Sequence, residues 1–108
     1  MAVYLIIEIQ IKDSSLYSQY VEKVPEIIEK YGGRYLVRGG KVTHFLSGNW
    51  NPERIILIEF DSAEQIKNCF QSPEYLELAP LREQSTISKA IIVEGCLPRD
   101  YIDPLGPY

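Results

Sequence analysis

The sequence predicts an α+β fold, a ferredoxin-like βαββαβ sandwich built on one four-stranded antiparallel sheet. Three observations predict it. Val3 to Ile11 and Arg54 to Phe60 alternate so that one face of each is wholly apolar and the other mixed, the signature of half-buried strands. Two stretches at helical spacing, each opened by capping residues, follow those strands. Between them, residues 25–40 read as a helix end, a glycine stop and a further strand carrying Arg34 and Arg38.

In the first strand, Val3, Leu5, Ile7, Ile9 and Ile11 make the apolar face, and Tyr4, Ile6, Glu8 and Gln10 the mixed one. Asp13 or Ser14 caps the first helix, whose buried stripe is Leu16, Tyr17, Tyr20, Val21, Val24, Ile27, Ile28 and Tyr31. Pro25 lies inside that stripe and predicts a kink or break near Val24. Gly32 and Gly33 supply the positive φ that ends a helix. The second strand is expected from Arg34 to about Ser47, with Gly39-Gly40 as a bulge; a hairpin turn at that pair is the competing reading. Ser47 to Pro52 forms a loop with Trp50 at its tip. The third strand is Arg54 to Phe60. Asp61-Ser62 with Gln65 reads as a capping box for a second helix, on which Ile66, Cys69 and Phe70 face inward. Ser72-Pro73 caps a short new helix, and Pro80 interrupts before Leu81. Ser88 to Glu94 is the last strand, giving the sheet order 4-1-3-2.

The run from Lys23 to Gly40 resembles the signature of the domain-of-unknown-function 1330 family. Pro52-Glu-Arg through Glu59-Phe60, and Ser72-Pro-Glu-Tyr75, are similar to its later blocks. The resemblance spans about residues 3 to 95. It implies ferredoxin-like units that pair as dimeric α+β barrels, and it implies no particular activity.

At 108 residues the chain is one domain over 1–95, followed by a proline-rich tail over 96–108. The tail keeps Leu97, Tyr101, Ile102, Leu105 and Tyr108, so it is expected to dock on the domain or on a partner. A net charge of −4 with no basic run argues against nucleic acid as a partner. One histidine and two cysteines, in no ligand spacing, predict no metal site, and no cofactor motif is present. No apolar run is long enough to span a bilayer, and the N-terminus lacks the basic start of a signal peptide; the expected location is cytoplasmic, away from membranes.

Two helices can cover only one face of such a sheet. The other would present Tyr4, Ile6, Leu36, Ile55 and Leu57, with Ala90 and Ile92 if the last strand is oriented likewise. An apolar patch of that extent predicts a homodimer. The first and third strands are read as parallel neighbours, which would set Glu8 beside Glu59, roughly 5 Å apart at the backbone, with Arg38 as neutraliser. One reading is a pocket in which Glu8 or Glu59 is a general acid or base and Arg38 holds a small anionic or polar organic molecule, with Tyr4 in its wall. The other, which is preferred, is a structural ion-pair cluster at a wet end of the dimer. His44 is a candidate proton carrier, though an ordinary strand position is the preferred reading. Trp50 is either a lid over the pocket or, preferably, a plug against the partner. The functional expectation is a small-molecule-binding protein, with a cofactor-free enzyme as one form it could take. A non-catalytic dimeric module is the alternative.

Overall fold

The computed structural model describes residues 2–96, so the expected docking of the tail lies outside the described residues. The order is β1 (Val3–Ile11), α1 (Ser14–Lys30), β2 (Arg34–Arg38), β3 (Arg54–Phe60), α2 (Ala63–Phe70), α3 (Pro73–Ser85) and β4 (Thr86–Glu94). The four strands form one sheet in the order β2-β3-β1-β4, the order expected. Every neighbouring pair is antiparallel.

The helices lie on one face of this sheet. Val3, Leu5 and Ile9 of β1 and Ile56, Ile58 and Phe60 of β3 meet Tyr17, Tyr20, Val24 and Ile28 of α1, with Ile66, Cys69, Tyr75 and Leu78 from the other helices. Caps set the helix starts. The Asp13 carboxylate accepts from Leu16 N at 3.1 Å. Ser62 accepts from Gln65 N, while the Gln65 side chain accepts from Asp61 N at 2.9 Å. Ser72 accepts from Tyr75 N, and Pro73 fills the first position of α3, where its missing N–H is harmless. Gly33 sits where a Cβ would lie 2.6 Å from Ile28 Cγ2 and 2.7 Å from the Phe60 ring. Only a glycine lets the chain leave α1 this close to the core.

Four expectations are corrected. First, α1 runs through Pro25 and α3 through Pro80 without a break; tertiary packing of α1's buried stripe outweighs the missing hydrogen bond. Second, β2 ends at Arg38, and residues 39–53 form a long connection rather than strand or tight hairpin. Third, the bulge lies at Leu36, where register shifts between Tyr35 and Val37, not at Gly39-Gly40. Fourth, Ala90 and Ile92 pair with Ile7 and Leu5 and so share the helix-facing side. Ile87, Ile91 and Val93 instead join Ile6, Ile55 and Leu57 on the uncovered side. Among the described residues, no helix is long and apolar enough to cross a membrane.

Candidate ligand cleft between helices and sheet

The expected Glu8–Glu59–Arg38 cluster does not form. Because β1 and β3 are antiparallel rather than parallel, Glu59 faces Tyr4 while Glu8 faces Ile55, four residues further along β1. That separates the carboxylates by about 13 Å along the strand. Glu59 is held by Arg34 and accepts from the Tyr4 hydroxyl at 2.8 Å. Glu8 accepts from Trp50 Nε1 at 2.6 Å, so the connection after β2 reaches back to the uncovered sheet face. Tyr4 and Trp50 therefore serve local hydrogen bonds there. His44 is exposed in the same connection, not on a strand.

Arg38 leaves that face because of the bulge. Arg34 and Arg38 are four apart and would share a side in a regular strand. Two residues, Leu36 and Val37, fit into the space of one, so Arg34 stays opposite Glu59 while Arg38 falls opposite the inward-facing Ile56. There its guanidinium lies 5.0 Å from the Tyr35 ring centroid and donates to the Val21 carbonyl at 3.4 Å. That carbonyl is free for a covalent reason: its helical donor would be the N–H of Pro25, which proline lacks.

Arg54 opens β3 on the same side. It donates through Nε to the Tyr17 hydroxyl at 3.1 Å and lies over the Tyr17 ring. Gly39, at φ +69°, presses so near that a Cβ there would fall on the Arg54 guanidinium. Tyr17 stacks on Tyr20, whose hydroxyl shares a 2.9 Å hydrogen bond with that of Tyr75. Tyr75 meets Phe70 edge-on at 4.6 Å. On α3, Arg82 donates to Ser88 Oγ at 3.2 Å and lies 3.7 Å from Glu83. Its Nε is buried without a hydrogen-bond partner.

These groups surround a cavity of about 670 Å³ between the helix layer and the sheet. Its floor is Leu5, Ile7, Ile9, Ile56 and Ile58, and its helical wall includes Tyr17, Tyr20, Val24 and Ala79. The size falls in the range of roughly 300–1,000 Å³ usual for small-molecule sites, as does an apolar lining with a few polar groups. Burial raises the Tyr20 hydroxyl well above its ordinary pKa, raises that of Tyr75 as well, and pushes Tyr35 up to about 12 against the lowering effect of Arg38. All three are neutral hydrogen-bonding groups near neutral pH, not bases. Cys69, pushed up to about 11 by burial, is an inert core thiol.

Sequence reasoning placed Tyr17 and Tyr20 on the buried stripe but gave them no role, and passed over Arg54 and Arg82. A signal for Arg54 was present. It shares strand parity with Ile56, Ile58 and Phe60, so it is a charged residue on an otherwise apolar face.

Comparison with known proteins agrees with the fold. The RPA0582 protein of unknown function from Rhodopseudomonas palustris superposes with a TM-score of 0.74 at 14% identity, over 90% of this chain and 84% of that one. SnoaB, a cofactor-independent oxygenase from Streptomyces nogalater, superposes with a TM-score of 0.58 at 9% identity, over 93% of this chain and 98% of that one. An uncharacterized NIPSNAP domain protein from Burkholderia xenovorans gives 0.59 at 13% identity, over 95% and 100% of the two chains. No curated protein matches the sequence. Residues 2–96 match one family throughout, and the chain therefore belongs to the family described as Domain of unknown function (DUF1330).

Proposed function

We propose that this protein binds a small organic molecule in the cleft between its helices and its sheet, and that it works as a homodimer joined through the uncovered sheet face. The cavity of about 670 Å³ carries the first part, since a domain this small has no structural use for so large an opening among its core residues. The fold shared with SnoaB, a cofactor-independent oxygenase, is compatible with a cleft that also performs chemistry. Binding is nevertheless the function that the lining supports. Among the described residues it contains no histidine, and its one carboxylate is Glu83.

The second part rests on the uncovered face. Ile87, Ile91 and Val93 of β4 are exposed there, alongside Leu36 and Val37 of β2. A second copy offers the same strip of apolar side chains and closes it by two-fold symmetry. The total area such a pairing would bury is roughly 1,200–2,000 Å².

Native mass spectrometry of gently purified protein tests both parts. The expected species is twice 12.4 kDa with a reproducible small adduct. Ile91→Asp should give a monomer. A monomeric wild type would reject the dimer, and failure of any small apolar compound to enter the cleft would reject the binding function.

A further inference from the structure

We infer that the cleft selects an amphipathic organic anion, a carboxylate or sulfonate on a body of one or two rings, with its charge held by Arg38, Arg54 and Arg82. This rests on the cleft being a binding site, and adds what it binds.

Arg38, Arg54 and Arg82 all line the cavity, and the strand register places them towards one end of it. Arg38 is opposite Ile56, and Arg54 lies two residues before Ile56 on the same strand. Ile9 pairs with Arg54 on one side and with Ser88, the partner of Arg82, on the other. The backbones of Arg54 and Ser88 are thus two strand spacings apart, about 10 Å. Arginine side chains extending from either side can meet across that gap.

Compensating negative charge is nearly missing. Among the described residues, neither Arg38 nor Arg54 has a carboxylate within ion-pair distance, and Arg82 has only the solvent-facing Glu83 at 3.7 Å. The acceptors they do have are neutral: the Val21 carbonyl, the Tyr17 hydroxyl and the Ser88 hydroxyl. Arg82 Nε, buried and without an acceptor, is a donor still to be satisfied. Guanidinium forks suit oxyanions that present two oxygens side by side, as carboxylates and sulfonates both do, and grip them through two parallel hydrogen bonds. Lys67, Gln71, Glu83 and four tyrosines also line the cavity, but most of the remaining wall is apolar, Leu5, Ile7, Ile9, Ile56 and Ile58 among it, so the anion must carry an apolar body. The chain's net charge is −4, so its overall field repels anions and any preference for them must arise locally.

The test uses two fluorescent probes with the same rings, anilinonaphthalene sulfonate and its uncharged parent phenylnaphthylamine. Each is titrated into the wild type, Arg38→Gln, Arg54→Gln and the double variant, with amide shift changes locating the bound probe. Both probes are expected to shift cleft amides such as those of Val24, Ala79 and Ala90. The sulfonate should bind at least about tenfold more tightly than the neutral probe, and the double variant, which leaves only Arg82 of the three, should cut that preference at least about threefold while leaving the neutral probe within about threefold. Arg38→Gln alone, at an exposed side chain, decides the matter if the double variant does not fold. Equal affinities, or a preference indifferent to the arginines, would overturn the anion and leave the cleft intact. Shifts confined to Ile55, Leu57 and Ile91, or none at all, would overturn the cleft itself.

Discussion

Gly33 shows how little room the core leaves. Its φ is unremarkable, so Gly33→Ala tests packing alone: the new methyl must displace Ile28 or the Phe60 ring. A loss of about 1–3 kcal/mol is expected, read as a lower denaturant midpoint with unchanged slope. The buried tyrosines give a second prediction. In Tyr20, Tyr35 and Tyr75 burial raises the folded pKa above the ordinary value of 10.0, so the neutral form is favoured in the native state. Their contribution to stability is fully present below pH 10 and is lost as pH rises towards and past 12, where Tyr35 itself titrates. Ultraviolet absorbance should show these three phenols ionising only together with loss of the circular-dichroism signal. Ionisation of all eight tyrosines before any unfolding would contradict it.

Among the elements, α1 carries the most consequence. Its stripe was legible because Tyr17, Tyr20, Val24 and Ile28 recur at helical spacing. Pro25 was legible as a disturbance, but its effect was not, because the acceptor it frees is used by a side chain from another element. Pro25→Ala restores the helical donor to Val21 and competes with Arg38 for that carbonyl. Stability is expected to rise by about 1–2 kcal/mol while the cleft's preference for the sulfonate probe weakens. Thermal melts and the probe titrations check the two halves separately. If stability rose with no change in probe preference, Val21 would not be what positions Arg38. In β3 the sequence-based limits of Arg54 and Phe60 match the structure, because a strict alternation leaves little choice of register. In β2 they do not, because five residues with a bulge carry too short a pattern to show where parity changes.

For the molecule as a whole, strand order was readable because helices must cover one sheet face and connections are short. Strand direction was misread between β1 and β3, and with it the pairing of Glu8 and Glu59 went wrong. The site moved to the opposite side of the sheet for that reason and because of the bulge. The two faces now divide the proposed labour. On the proposal made above, the uncovered face, with Ile87, Ile91 and Val93, would take the second copy, and the helix side the ligand. Ile91→Asp should therefore produce monomers in sedimentation while changing probe affinity less than about threefold, since Ile91 does not line the cleft. If probe binding disappeared with the dimer, the partner copy would have to complete the site.

The extra residue at Leu36 also bears on descent. A relative lacking one codon between Tyr35 and Val37 would keep Arg34 and Arg38 on their separate sides by plain alternation. A relative of full length whose strand paired without the bulge would have arginines in the same two columns and none of the second kind in its cleft. Inheritance of this site is thus written in the length and pairing of a strand, and column-by-column identity would credit the wrong cousins.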